Sequence, residues 1–546
     1  MEYEAHFIYK TEPYQHQIDA VHYLYGKEYF ALLMEQGTGK SKVLIDIASN
    51  LFLEKKIDAV LLIAPNGVHN QWSEEQIPLH SPIPYTDLVW EHTTSSKAQR
   101  ELQHFITDRA VSLKWFCVNV EAFSRDTHIP LFQTFLKRNR TFVIVDESTR
   151  IKSPTAARTI NVIQGLAQVI KVGKRITSIL PLSAYRAIAT GTMVTNSPYD
   201  LWSPFEFLQH NYLGLDYFSF RNHYGIETRV SLPGSYRGYT RKITSKEINS
   251  VRTYIDQGKS VEEVARIMAI SESSVRFLKD NRAVVAPYKN LDELKSRIAP
   301  ISFIVRKSDC LDLPPKIYEK IYVELNDEQK KAYKELSKEL TSNYNGAELS
   351  VLNKVSLLGR LSQITGGFFP ASETEGQKTT PFTQNPKLEA LVDDLCECSD
   401  FPVIVIAFHV AEIKAIHARL VKEYEGEDVE YICGEVGKTE RATIIERFKH
   451  GDVKILVANA RTIGTGYNLQ VSHVQYFFSN SYSMEEREQV EDRIHRDGQR
   501  SATVVYKDII ARNTIDEKVL SVLKSKRDLL DYMRGKSIHE FLGEVQ

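Results

Sequence analysis

Two short stretches carry residue types that could do phosphate chemistry. In Glu35-Gln36-Gly37-Thr38-Gly39-Lys40-Ser41, two glycines precede a lysine and a hydroxyl. Gly37 and Gly39 can turn backbone N–H groups, with that of Thr38 between them, onto phosphate oxygens. A helix beginning at Lys40 would add its positive end. Lys40 would then reach the β- and γ-phosphates of a nucleotide, and Ser41 a magnesium ion. The first glycine usual in such a loop is Met34 here. The second stretch, Val143-Ile144-Val145-Asp146-Glu147-Ser148, is an apolar run ending in two carboxylates. Asp146 could hold the magnesium and Glu147 polarise an attacking water. Either stretch alone is compatible with an ordinary turn. Together, with another βα unit between them, they point to hydrolysis of a nucleotide, with ATP and Mg2+ as the expected ligands.

The elements needed to position these groups are legible around them. Residues 29–33 form a short apolar run of strand character before the loop, and 42–48 suit a helix after it. Further strand candidates at 59–64, 115–120 and 141–145 alternate with helical stretches over the first ~235 residues, which predicts a parallel sheet covered by helices. A second alternation spans 385–511, with strands expected at 403–408, 454–458, 473–478 and 502–510 and no phosphate loop of its own. Two α/β lobes sharing one loop place the nucleotide in the cleft between them. Residues 327–342 and 349–364 read as helices, and 373–384 as a polar linker.

The chain has 546 residues, enough for several cores. Its net charge is −1, so nucleic acid would have to be held by local basic patches rather than a global field. Five cysteines are scattered, and Cys396 and Cys398 lack a second ligand pair, which argues against structural zinc and for reduced thiols of a cytoplasmic protein. The charged N-terminus does not read as a secretory signal, and no apolar run is long enough to span a bilayer.

The motifs resemble those of superfamily-two helicase-type ATPases, and among them the Swi/Snf-type DNA translocases. Pro13-Tyr14-Gln15 is similar to the family's adenine-reading motif, with Gln15 as the reader. Ala64-Pro65-Asn66, followed by Gln71-Trp72, resembles a DNA-contact motif. Asp146-Glu147-Ser148-Thr149-Arg150-Ile151-Lys152 is similar to D-E-x-H-R-x-K, with Thr149 in the histidine position. Thr190-Gly191-Thr192-Met193-Val194-Thr195-Asn196 resembles S/T-G-T-P-x-x-N, with Met193 for proline. Phe303-Ile304-Val305-Arg306-Lys307, then Leu313-Pro314-Pro315-Lys316, looks like the junction between the family's lobes. Gly464-Thr465-Gly466-Tyr467-Asn468-Leu469 resembles G-x-G-x-N-L, and residues 489–499 nearly complete Q-x-x-D-R-x-H-R-x-G-Q. Thr514 to Glu517, followed by Lys526, looks like the family's C-terminal brace.

The resemblance implies two RecA-like lobes. It divides the chain into residues 1–236 (first lobe), 237–286 (insertion), 287–384 (helical inter-lobe region and linker), 385–511 (second lobe) and 512–546 (brace helices). It implies that Gly466, Arg493 and Arg496 serve the nucleotide, the arginines as fingers, and that Asn66 and Lys152 contact DNA. Arg493 and Arg496 lie three apart and would share one face of a helix. A guanidinium pair aimed across the cleft can neutralise charge building on the γ-phosphate.

The insertion has a pattern of its own. Val264, Ala265, Met268, Ile270, Val275 and Leu278 have the spacing of a helix-turn-helix core, Ala269 takes the turn position and Ser271 would cap the second helix. That helix would expose Arg276, Lys279 and Arg282, an extra duplex contact made mostly to phosphates. A small helical bundle serving as spacer or protein-docking knob fits the same pattern.

The leading expectation is an ATP-dependent translocase on double-stranded DNA, of a compact bacterial or phage type, that remodels DNA or protein–DNA complexes. The alternative enzyme reading is a helicase that unwinds or branch-migrates DNA in replication, recombination or repair. A DNA-binding regulator using ATP as a switch is the reading outside enzyme chemistry.

Overall fold

The apolar runs become the strands of two parallel sheets in the computed structural model. It describes residues 7–533 except 91–94, 109–111, 174, 226–228, 232–239, 243–249, 252–253, 256–257, 281–287, 342–350, 370–378, 399, 425–427 and 465–466. The first sheet has 7 strands, in the spatial order Ser302–Val305, Tyr29–Met34, Tyr185–Ala189, Thr141–Asp146, Ala59–Ala64, Leu113–Asn119 and Tyr85–Val89. Every pairing in it is parallel. The central strands are buried along their whole length because helices cover both faces, which is why they read as unbroken apolar runs. One face packs on Phe116, Phe132, Phe135 and Phe205, the other on Val43, Ile47, Trp72 and Trp115.

The second sheet has 6 strands, in the order Lys316–Val323, Val504–Ala511, Val474–Phe477, Val403–Ala407, Ile455–Asn459 and Val429–Ile432, again all parallel. Its core is separate, built on Ile404, Ile406, Leu456, Val457, Tyr476 and Tyr506.

The stretch expected to be a helical inter-lobe region also gives one strand to each sheet. Ser302–Val305 pairs with Tyr29–Met34 in the first lobe, beyond the insertion, and Lys316–Val323 pairs with Val504–Ala511 in the second. Each sits at the edge of its sheet, where one side needs no partner. Lys316–Val323 mixes charged residues with apolar and aromatic ones and is mostly solvent-facing, so it lacks the apolar run that marks a buried strand. Residues 306–315 are the covalent link between the sheets.

The two expected helices form as Asp327–Thr341 and Val351–Thr365. The expected linker falls partly outside the described residues. The C-terminal helix Ile515–Met533 starts against Leu336, Leu357 and Leu361 through Ile515, Val519 and Leu523, and ends in the first lobe's core through Leu529, Leu530 and Met533. An antiparallel hairpin, Ala167–Val172 with Arg175–Pro181, was not among the expected elements.

The insertion folds on a small core of Val251, Val264, Ala265, Ile270, Val275 and Leu278. Helices Val261–Met268 and Glu272–Asp280 meet at Ala269, which takes φ 48°, the left-handed turn that glycine usually supplies. Ser271 caps the second helix through its hydroxyl, which accepts the Ser274 N–H at 3.2 Å. Arg282 lies outside the described residues.

Candidate active site in the inter-lobe cleft

Ligands of open parallel sheets gather at the carboxyl ends of the strands, and the first lobe follows that rule. Tyr29–Met34 runs into the glycine loop, Thr141–Asp146 ends in the acidic pair, and the strand between them, Tyr185–Ala189, runs into Thr190-Gly191-Thr192. Gly37 and Gly39 take φ 82° and 87°, and Gly39 is the residue before helix Lys40–Leu53. A side chain at Gly39 would put its first carbon 2.1 Å from the Gln17 amide nitrogen, so Gln17 would have to leave the loop, and the left-handed φ itself favours glycine. Lys40 Nζ donates to the carbonyls of Met34 at 3.0 Å and Glu35 at 3.3 Å, which holds the amine over the loop.

Gln15, the expected adenine reader, is exposed and gives its amide to Asp19 at 2.8 Å. The glutamine that meets the loop is Gln17, buried, which donates to the Thr38 carbonyl at 3.1 Å. Residues two apart point to different sides of a helix, so Gln17 faces the loop and Gln15 faces away from it.

Asp146 is buried at the strand end, with Oδ2 accepting the Trp72 indole N–H at 2.9 Å and Oδ1 the Glu147 backbone N–H at 3.0 Å. Glu147 has φ 49° and ψ 59°, a left-handed backbone unusual for a branched-off side chain this large. That turn carries its carboxylate to the Thr190 hydroxyl, which donates at 3.3 Å. Burial pushes the Asp146 carboxyl up, opposed by Lys40 and by the Trp72 hydrogen bond. Burial also lifts Glu147 to about 7, opposed by Lys40 and reinforced by the charges of Asp146 and Glu485.

The second lobe delivers the arginines. Helix Met484–Glu491 stops short of them, so Arg493 and Arg496 stand on the irregular turn that follows and not on one helical face as expected. The chain turns because the Arg493 carbonyl accepts the Leu469 N–H at 3.1 Å and Gly498 takes φ 86°. Arg493 reaches the Gly464 carbonyl at 2.6 Å and, across the cleft, the Gln36 amide oxygen at 3.4 Å. Arg496 passes over the glycine loop, its Cβ 3.8 Å from where a side chain on Gly37 would begin. Burial and the neighbouring Arg496 lower Arg493 to about 10, and burial lowers Arg496.

One cleft is therefore lined by Gly37, Lys40 and Ser41 from the loop, Asp146 and Glu147 from the acidic strand, and Arg493 and Arg496 from the other lobe. Half-buried arginines crowding one another suit a polyanion, and the buried Asp146 beside the half-buried Glu147 suits a divalent cation. Among the described residues no cluster of three or more His, Cys, Asp or Glu side chains could hold a metal. A cation here would draw Ser41 and Asp146 from the protein and its other oxygens from phosphates and water, the usual arrangement for magnesium. Gly466 lies outside the described residues.

The expected DNA contacts are not gathered in this cleft. Asn66 is exposed at the end of strand Ala59–Ala64. Lys152 donates to the Thr195 hydroxyl and lies close enough to Lys526 to lower its pKa, together with burial. Lys526 itself binds Asn196 Oδ1 at 2.7 Å and the Tyr482 carbonyl at 2.8 Å, joining the two lobes. Thr149, in the position of the family's histidine, donates to Glu485 at 3.1 Å, and Thr192 donates to Glu488 at 2.7 Å, both across the cleft. Met193 is core. Arg276 and Lys279 are exposed on the insertion, but Arg276 lies 3.5 Å from Glu272 and 4.0 Å from Glu262.

Sequence reasoning missed the place of Trp72, read as part of a DNA-contact motif but hydrogen-bonded to Asp146, and of Lys307, buried between the lobes. Both stand in quoted motifs; the partners of each are visible only once the lobes are folded.

Residues 16–365 match the SNF2-related domain and 386–498 the helicase conserved C-terminal domain. The Bacillus subtilis protein YwqA, named for an ATP-dependent helicase/translocase, is 28% identical over 44% of this chain and 27% of its own length. The TATA-binding protein-associated factor MOT1 of Saccharomyces cerevisiae is 23% identical over 63% of this chain and 18% of its own. The chain thus spans about a quarter or less of the length of these relatives. A solved SWI2/SNF2 ATPase core of Sulfolobus solfataricus, in complex with dsDNA, aligns over 98% of this chain and 97% of its own with 21% identity and a TM-score of 0.38. No helix of the described residues is long and apolar enough to cross a membrane. With its SNF2-related match extending over more than half of its length, the chain belongs to the SNF2-related family.

Proposed function

We propose that the chain hydrolyses ATP in the inter-lobe cleft and couples hydrolysis to movement along double-stranded DNA, remodelling DNA or protein–DNA complexes. The observation that carries the reading is the convergence of Lys40, Ser41, Asp146 and Glu147 from one lobe with Arg493 and Arg496 from the other on a single cleft. The names of relatives such as YwqA, which refer to an ATP-dependent helicase/translocase, support it.

In this reading Lys40 and the loop N–H groups hold the β- and γ-phosphates. Ser41 and Asp146 would hold magnesium, which when bound supplies positive charge against the phosphate oxygens. Glu147, kept in place by Thr190, accepts a proton from the water whose oxygen bonds to the γ-phosphorus. The bond from that phosphorus to the β–γ bridging oxygen breaks, and ADP leaves with the electron pair. Arg493 and Arg496 stabilise the charge that builds up, so hydrolysis requires a closed cleft. Opening and closing then move two DNA grips relative to each other, with Asn66 and Lys152 as candidate contacts. The setting proposed is the cytoplasm of a bacterium or a phage-infected cell.

Steady-state ATPase rates without nucleic acid and with single strands, duplexes of increasing length, and RNA test the reading. Stimulation that grows with duplex length is expected. Stimulation by single strands or forks alone would favour unwinding, and stimulation by no nucleic acid would overturn movement on DNA.

A further inference from the structure

Lys307, outside the reacting groups, touches the machinery of both lobes. Lys307 is the second residue of the link between the sheets. Its backbone N–H donates to Glu35 Oε2 at 2.9 Å. Glu35 opens the glycine loop, its own N–H bonded to the Val305 carbonyl at 3.0 Å and its carbonyl accepting from Lys40 Nζ. The Lys307 backbone is therefore part of the frame of the phosphate loop. Its side chain, 4% exposed, enters the other lobe. There Nζ lies 2.6 Å from Asp492 Oδ1 and donates to the His495 carbonyl at 3.0 Å. Those two residues bracket Arg493, and the second immediately precedes Arg496.

A buried ammonium is expensive unless it is paired. Burial lowers the Lys307 pKa, and the Asp492 charge opposes that fall and keeps the amine cationic. In return, Lys307 and Lys316 hold Asp492 below the usual carboxylate range despite its burial. Lys316, 3.7 Å from Asp492, is bonded more closely to Glu491 and does not replace the contact.

We propose that Lys307 is a positioning residue for ATP hydrolysis: it fixes the turn bearing Arg493 and Arg496 at a set distance from the phosphate loop. This rests on the ATPase reading above and deepens it. Lys307 touches none of the reacting atoms. Without it the arginines keep their charges but lose their alignment, and a misplacement of about 1 Å is enough to slow a reaction about 100-fold. Nucleotide binding through the glycine loop and Lys40 stays.

The test uses the full chain with saturating duplex DNA and compares wild type, Lys307→Ala, Lys307→Met, Lys307→Arg, Asp492→Asn and the double variant Lys307→Met with Asp492→Asn. Measured for each are kcat, KM for ATP, affinity for a fluorescent ATP analogue and the thermal midpoint. The expected result for Lys307→Ala is a kcat loss of about 100-fold with analogue affinity within about threefold of wild type, and Lys307→Arg recovers most of the loss. The double variant, which leaves no buried charge unpaired, should lose no more kcat than either single variant. Unchanged kcat, equal losses in kcat and affinity, or additive losses in the double variant would each overturn the inference. A wild type without ATPase activity would overturn the ATPase reading as well, which separates the two failures.

Discussion

The indole N–H of Trp72 donates to Asp146 Oδ2 at 2.9 Å, which places a residue of the stretch after strand Ala59–Ala64 directly against the carboxylate expected to hold magnesium. Both partners are buried. The indole favours the ionised carboxylate against the burial that opposes it, and with the Glu147 N–H on Oδ1 it fixes the orientation of the carboxylate at the strand end.

Trp72→Phe keeps the aromatic packing on Trp115 and removes only the donor. A hydrogen bond to a charged group contributes about 1.5–3 kcal/mol, so the magnesium concentration for half-maximal ATPase should rise about tenfold or more. Titrating Mg2+ at saturating ATP checks this; an unchanged midpoint would show that the indole only fills space.

Glu147→Gln removes the proton acceptor but keeps a side chain of the same shape on the Thr190 hydroxyl. Turnover should fall by about 10²–10⁴-fold while ATP binding persists. Lys40→Ala should abolish turnover too, with weakened nucleotide binding. Rapid-quench hydrolysis and analogue binding distinguish the two, and undiminished turnover in either variant would place the chemistry elsewhere.

His495 gives a pH signature. Its Nε2 meets the Pro314 carbonyl at 2.9 Å, its Nδ1 is buried without a partner, and burial beside Lys316 lowers its pKa to about 4. The unfolded chain takes up this proton near pH 6.5, whereas the folded chain resists it until about pH 4. The contribution is therefore complete above pH 6.5 and is lost as pH falls toward 4, by up to about 3 kcal/mol. His495→Gln should flatten the fall in thermal midpoint across that window, and parallel curves for the two proteins would assign the acid sensitivity to other groups.

The parts legible in the sequence are those set by local pattern. Buried parallel strands announce themselves as apolar runs, and the glycine loop announces itself by spacing, so the floor of the cleft was readable from Tyr29 to Asp146. Ser302–Val305 was not, because its partner strand lies on the far side of the insertion and the pairing is purely tertiary. Gln15 and Gln17 differ only in helix phase, which the first turn of a helix leaves open. The bend at Arg493 depends on a carbonyl captured by Leu469, a contact no spacing encodes. The two helices of the insertion and the turn between them were readable, but their electrostatics were not. Arg266, Arg276 and Lys279 share their surface with Glu262, Glu263 and Glu272.

That balance makes the insertion a direct test of phosphate binding. If it grips DNA through Arg276, Lys279 and Arg282, deleting residues 241–285 should weaken duplex affinity and flatten its salt dependence while basal ATPase stays the same. Unchanged DNA binding at several salt concentrations would make the insertion a spacer or a protein-docking site.

The account stands on one active site completed by two lobes, and Arg496→Ala interrogates it most directly. Single-turnover hydrolysis and ATP affinity should be measured on this variant beside wild type, with duplex DNA present. Hydrolysis is expected to fall by about 10²–10³-fold with affinity changed only a few-fold. Equal losses in both, or no loss in either, would contradict a finger supplied across the cleft.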